Sequence, residues 1–171
     1  MIRIVTDSTC EGPAEVMRLR ELTVVPLSVV FGREALKDEV EITREQFWAR
    51  LPKANPLPTT SQATPADFVE PFRRLTDAGD EVVALILSSK LSGTHDAAVQ
   101  AKTALPGRPI DVVDTFSVSV GMGLMVQKAA EMATNGATRA QIVAQMLRMR
   151  DEIHLVFALN TLEYLQRGVQ K

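Results

Sequence analysis

Short apolar runs in this chain end, one after another, in clusters of Ser, Thr, Asp and Gly. Ile2–Val5 leads into Thr6-Asp7-Ser8-Thr9, Val82–Leu87 into Ser88-Ser89-Lys90-Leu91-Ser92-Gly93-Thr94, and Ile110–Val113 into Asp114-Thr115-Phe116-Ser117. Each cluster is followed by a helical pattern. Continuous apolar runs of this length suit strands buried on both faces. Alternated with helices, they predict right-handed βαβ units, hence an α/β fold with a mainly parallel sheet and helices on both faces. All three clusters then emerge at one sheet edge, the carboxyl ends, where open α/β folds bind ligands. Such an edge is expected to hold a carboxylate or another small anion through neutral donors rather than a fixed positive charge.

The segments between these runs carry their own signals. Pro13–Glu21 reads as a short helix with Gly12 at the N-cap, Pro13 at the first position and Val16, Leu19 and Leu22 at helical spacing. Val24–Phe31 is apolar and β-branched but interrupted by Pro26, which predicts an edge strand, with a turn at Gly32-Arg33-Glu34. The segment from Val24 to Lys37 breaks the alternation and is expected to be a hairpin-like excursion flanking the site. Thr43 and Gln46 form a capping box for a helix carrying Phe47, Trp48 and Leu51, and Pro52, Pro56 and Pro58 enforce an extended segment after it.

Thr64-Pro65 opens the next helix, through Phe68, Phe72 and Leu75 to Gly79. Further helices are predicted over Thr94–Leu105, Ser119–Thr134 and Arg139–Asp151, the last capped by Thr138 and Gln141. A final strand is read over His154–Leu159.

The chain has 171 residues, of which 46% are hydrophobic and 23% charged. That is ordinary for one globular domain and enough to bury a core. Lys+Arg 19 stand against Asp+Glu 21 with no basic block, which offers no electrostatic footprint for nucleic acid. No apolar stretch approaches the roughly 20 residues of a membrane span, and the first residues are strand-like rather than a leader, so a cytoplasmic location is expected. Cys10, His95 and His154 show no metal-ligand spacing. No cofactor is expected.

Chemistry is best sought in Pro58-Thr59-Thr60-Ser61-Gln62 and Leu91-Ser92-Gly93-Thr94. The first holds three consecutive hydroxyls in an extended segment. The second places hydroxyls and a Gly at a strand-to-helix turn, where free backbone N–H groups also point outward. The commoner task of any one such hydroxyl is to cap its helix; recurrence at several strand ends favours a ligand for the set.

Taken in order, Asp7-Ser8-Thr9, Val25-Pro26-Leu27-Ser28-Val29, Pro58-Thr59-Thr60-Ser61-Gln62, Ser88 to Thr94, Asp114-Thr115 with Ser119-Val120-Gly121-Met122-Gly123, and Leu162-Glu163-Tyr164-Leu165-Gln166-Arg167-Gly168 resemble the DegV family. The resemblance implies a DegV-type α/β domain over 1–153, with 154–171 as the start of a truncated second domain. It implies a protein that binds a long-chain fatty acid and presents it to a separate fatty acid kinase. Thr60 and Ser92 look like the carboxylate-binding hydroxyls, with Thr59, Ser61, Gly93 and Thr94 as supporting neighbours. The family pattern continues into a second domain, whereas here Gly168 is followed by Val169-Gln170-Lys171. A short form of this kind is expected to leave Phe157, Leu159, Leu162, Tyr164 and Leu165 uncovered and so to self-associate or to bind lipid weakly, with a non-functional truncated fragment as the blander alternative.

Rival readings rest on fewer residues. Asp7 and Asp114, each after a strand, suit an acid/base pair or a Mg²⁺ site of a small-anion phosphotransfer or hydrolytic enzyme, though Asp in such turns usually accepts from loop N–H groups. His95 stands near Ser92, yet no nucleophile elbow or matching acid accompanies it. Cys10 is read as a packed small side chain. The apolar stripe through Met122, Leu124, Met125, Val126, Ala129, Ala130 and Met132 is read as core.

Overall fold

Ile4 and Val5 are fully buried, as are Val82, Val83, Ala84, Leu85 and Ile86. These two unbroken apolar runs form the adjacent central strands of a parallel sheet, covered above and below. The structure, a computed structural model, describes residues 1–17, 22–158 and 162. The parallel sheet contains β1 (Ile2–Asp7), β2 (Leu22–Val25), β6 (Glu81–Ile86) and β7 (Ile110–Asp114) in the order β2-β1-β6-β7. A smaller antiparallel sheet, β4-β3-β5, joins β3 (Ser28–Phe31), β4 (Glu34–Lys37) and β5 (Thr59–Ser61).

Helices α1 (Ala14–Met17) and α2 (Arg44–Arg50) belong to the first half of the chain; α3 (Pro65–Asp77), α4 (Thr94–Thr103), α5 (Ser119–Thr134) and α6 (Arg139–Glu152) cover the sheet. α3 packs on α4 and both on β6, while α5 packs on α6 and both on β6, so the two pairs occupy opposite faces. Phe68 and Phe72, one turn apart on α3, are fully buried with ring centroids 5.8 Å apart. From the other face Met122, Met125, Val126 and Ala129 of α5 and Ile142 and Met146 of α6 complete the core. The methionine stripe is therefore core, with Leu124 turned to solvent.

The three helices expected to begin at Thr43, Thr64 and Thr138 do so, each with a reciprocal capping box, to Gln46, Asp67 and Gln141. At the amino edge of the sheet Asp80 accepts from Arg3 Nε at 2.8 Å, which holds its carboxyl below the usual range.

Two expectations need correction. Val24–Phe31 is not one edge strand: Pro26, which has no N–H for a ladder, divides it into β2 and β3, and these belong to different sheets. β3 is moreover the centre of its sheet, between β4 and β5. The strand expected from His154 is also absent over 153–158, which adopts no regular structure and leaves Val156 89% and Phe157 70% exposed. Among the described residues no strand pairs with this segment. Leu159, Tyr164 and Leu165 lie outside the described residues, as does the end of the helix expected over Pro13–Glu21.

Candidate ligand-binding site

From β1 the chain passes to β2 on one side and later to β6 on the other, so the β1/β6 boundary is the topological switch point, where the loops part and leave a crevice. Asp7 closes its floor. One carboxylate oxygen accepts from the Thr9 N–H at 3.0 Å and the Thr9 hydroxyl at 2.6 Å; the other accepts from the buried Leu87 N–H at 2.8 Å. Burial of the side chain pushes its pKa up, against the pull of these three donors.

The loops above are tied together by main-chain bonds. Ser8 donates to the Val25 carbonyl at 3.1 Å, Ser88 to Ser117 at 2.9 Å and Ser119 to Thr9 at 3.0 Å. Phe116 and Ser119 both take positive φ, 49° and 55°, so the β7–α5 connection is a strained turn held by its surroundings.

A cleft of about 420 Å³ opens beside the end of β1, between the small sheet and α2. Its hydroxyl wall comprises Ser8, Thr9, Thr60 and Ser119; its apolar wall comprises Val29, Phe47 and Trp48; Glu11, Asp38, Glu39 and Arg44 complete it. Thr9 gives its hydroxyl to Asp7, Ser119 its own to Glu11, and Ser8 accepts from the Leu27 N–H, so Thr60 is the lining hydroxyl with no such partner among the described residues, beside an aliphatic and aromatic wall.

Of the six residues singled out in the sequence, Thr60 lines this cleft. It stands on β5 opposite Val29 of β3. Thr59 and Ser61 are exposed and outside the cleft lining, because successive strand residues face opposite sides. Ser92 turns inward on its own loop: its hydroxyl accepts from the Thr94 N–H at 3.2 Å and shares a hydrogen bond with the Thr94 hydroxyl at 2.9 Å. Ser92 thus fills the local capping role as well, ahead of α4, whose N-cap Gly93 offers no side chain.

The two motifs nonetheless meet. The Gln62 carboxamide, directly after β5, lies over Gly93, and a Cβ at that position would overlap its oxygen and stand 3.1 Å from its carbon and nitrogen. Gly93 is the residue that lets the β5 segment settle on the Ser92 turn.

The expectation of a site without fixed positive charge is corrected by Arg44, at the first position of α2, which lines the cleft. Its Nη1 lies 2.9 Å from Glu11 and its Nε 3.5 Å from Glu39, so two carboxylates accompany the cation. Glu11 in turn accepts from the Ser119 hydroxyl. Nothing in the sequence marked this contact, since Glu11 and Arg44 are distant in the chain and approach only when α2 folds over the β1 loop. The capping box at Thr43 located the helix, not what its first side chain would meet.

The rival constellations are spoken for. Asp7 is fully engaged as above, and Asp114 accepts from Ser89 N–H at 3.2 Å and Phe116 N–H at 3.1 Å, the usual work of Asp in such turns. His95 Nδ1 stands 3.4 Å from the Asp96 carboxylate, and the Ser92 hydroxyl is occupied by Thr94. Cys10 is a buried free thiol, and burial pushes its pKa up to about 11, the opposite of activation. Among the described residues no helix is long and apolar enough to cross a membrane.

The chain is thus an open α/β domain with a cleft of mixed polar and apolar lining beside the end of β1. The family model described as "Uncharacterised protein, DegV family" matches residues 1–169, and the chain belongs to that family. It is 40% identical over 168 residues to a DegV domain-containing protein of Streptomyces coelicolor, covering 98% of this chain and 59% of that one.

Among solved structures, a DegV family protein of Thermus thermophilus described for its fatty acid binding superposes with a TM-score of 0.87 at 38% identity, over 98% of this chain and 59% of that one. A stearic acid-binding protein of Eubacterium ventriosum gives 0.87 at 28% identity, over 99% and 60%. The chain thus spans about 60% of the length of these relatives.

Proposed function

We propose that this chain is the ligand-binding portion of a non-catalytic carrier for long-chain fatty acids. It acts in the cytoplasm and presents the carboxylate to a separate fatty acid kinase. Thr60 and Ser92 donate to the carboxylate, Ser92 by turning from Thr94. Thr59, Ser61, Gly93 and Thr94 shape the surrounding backbone. No cofactor takes part.

The observation that carries this reading is the seating of Gln62 on Gly93. The contact supports the reading because Gln62 stands two residues after Thr60 and Gly93 one residue after Ser92, while Thr60 itself lines a cleft with Val29, Phe47 and Trp48. The fatty acids in the descriptions of the Thermus and Eubacterium proteins support the same ligand class.

Mass spectrometry of lipid extracted from the purified protein tests the ligand directly: recovery of a long-chain acid is expected, and none at stoichiometric level counts against it. Calorimetric titration tests the head-group contacts. Thr60→Ala and Ser92→Ala should each weaken binding by about 1.5 to 3 kcal/mol, the loss of one hydrogen bond to a charged group. Unchanged affinity in both folded variants removes these hydroxyls from the site.

Leu91, Phe116, Val156, Phe157 and Leu162 are all exposed. Among these, Leu91, Phe116, Val156 and Phe157 line one shallow depression. We read it as a surface that a second copy covers in the isolated chain. Sedimentation velocity over a concentration series is expected to show a weight-average coefficient that rises with concentration; a constant monomer value contradicts self-association.

A further inference from the structure

Helix α2 is held without help from the core. None of its seven residues is buried, and a helix that short does not persist in water by itself. Two sets of side-chain contacts tie it down, one at each end. On the side of the small sheet, the Phe47 ring stands 6.1 Å from Phe31, the Arg50 guanidinium lies 4.1 Å from the Phe31 ring centre, and Arg50 Nη2 meets Glu34 at 2.6 Å. Toward the loop after β1, the one ion pair or hydrogen bond that α2 makes among the described residues is Arg44 to Glu11, at 2.9 Å. Between these ends Phe47 and Trp48 line the Thr60 cleft.

The segment that carries α2 is firmly rooted on one side only. Before it, the Lys37 carbonyl accepts from the N–H groups of Val40, Glu41 and Ile42 at 3.2, 2.8 and 3.3 Å, and Ile42 is buried. After it, residues 54–58 adopt neither helix nor strand on the way to β5. The Arg44–Glu11 pair is roughly half-exposed, a setting in which ion pairs add little stability and are screened by salt. Glu11 is nevertheless held ready for it: its other carboxylate oxygen accepts from the Ser119 hydroxyl, and Ser119 is kept at φ 55°. A weak contact with a prepared acceptor suits a tie that breaks and re-forms.

We infer that α2 is a lid on the Thr60 cleft, hinged on the small sheet through Phe31 and Glu34 and latched to the loop after β1 by Arg44 and Glu11. Release of the latch lifts Phe47 and Trp48 and opens the way to Thr60. The lid guards whatever the cleft holds, so it stands or falls separately from the fatty-acid reading.

Hydrogen exchange of the α2 amides reads the latch, because a helix without buried residues unwinds once a tie is lost. Glu11→Gln and Arg44→Gln should each speed exchange over 44–50 roughly threefold, and the double variant no more than either single, as for two halves of one contact. Raising salt from about 0.1 M to about 1 M should do the same to the wild-type chain and little to the variants. Glu131→Gln, which removes a similarly exposed ion pair on α5, is the control and should leave α2 unchanged. Ligand entry gives a second readout with octadecanoic acid as probe, followed through Trp48, the chain's one tryptophan and part of the cleft lining. Glu11→Gln should raise the association rate several-fold together with the dissociation rate, whereas mere damage to a site raises the dissociation rate alone. Unchanged α2 exchange in both folded single variants, additive effects in the double variant, or a dissociation rate that rises alone overturns the lid. A wild-type chain that binds no octadecanoic acid overturns the fatty-acid reading, and the exchange of α2 still decides the lid.

Discussion

Replacing Asp7 by Ala is expected to cost about 3 to 5 kcal/mol of folding stability, measured by chemical denaturation at neutral pH. The substitution strands the buried Leu87 N–H and both Thr9 donors, and each buried polar group left without a partner costs roughly 1 to 3 kcal/mol. Asp7→Asn should be little better, since its amide must place an NH2 against one of these donors. The pH dependence has a defined sign. The folded pKa of Asp7 lies above the unfolded value, so the folded chain holds its proton more tightly. The proton-linked part of its contribution is full below the unfolded pKa, near 3.8, and is lost as pH rises through the folded value, while the three hydrogen bonds it accepts remain at neutral pH. The gap between wild type and Asp7→Ala is therefore expected to be widest on the acid side, and a gap that widens with rising pH contradicts the burial argument.

Gly123→Ala is expected to destabilise by about 3 kcal/mol or more, although Gly→Ala in a helix interior ordinarily stabilises by close to 1 kcal/mol. A Cβ on Gly123 would overlap the Glu11 carbonyl oxygen, with the carbonyl carbon at 2.8 Å and the Gly12 Cα at 3.3 Å. These are backbone atoms, and their loop is fastened by Ser119 N–H to Thr9 at 3.0 Å and Glu11 N–H to Ser119 at 3.3 Å. Relief requires moving α5 or the loop that carries Ser8, Thr9 and Glu11 into the cleft, so ligand binding should fall with stability. Gly121→Ala is the control. The overlapping atom there is the Ser117 hydroxyl, which makes no hydrogen bond among the described residues and is free to rotate. Denaturant midpoints for the two variants that coincide would remove the special role of the Glu11 contact.

What the chain spells out locally is what the sequence made legible. β1, β6 and β7 are apolar runs bounded by turn residues, and the helices after Thr43, Thr64 and Thr138 carry their own caps, so each is set by neighbours in sequence. Thr60 was legible for the same reason, as a hydroxyl in a proline-bounded extended segment at the expected edge. Features that depend on distant chain segments were not. Pro26 showed a break in a strand but not that β3 leaves for a second sheet, which depends on pairing with β4 and β5. Arg44 reads as a helix-start residue; its partner Glu11 comes from another loop. His154–Leu159 shows the converse failure: apolar residues with β propensity form no strand over 153–158.

The three consecutive hydroxyls on β5 give the site a tolerance to error. β5 is only three residues long, exposed throughout, and held at the margin of its sheet by pairing with β3 alone. Short exposed strands of this kind are weakly fixed in alignment, and sliding by one residue swaps the side chains that face each way. In most strands that exchange would replace a working side chain by an unrelated one. Here a slide in either direction brings Thr59 or Ser61 to where Thr60 stood, so the cleft would still be met by a hydroxyl. Thr59→Val and Ser61→Ala would leave the native alignment untouched, yet they would remove this reserve and make the position of a three-residue strand decisive.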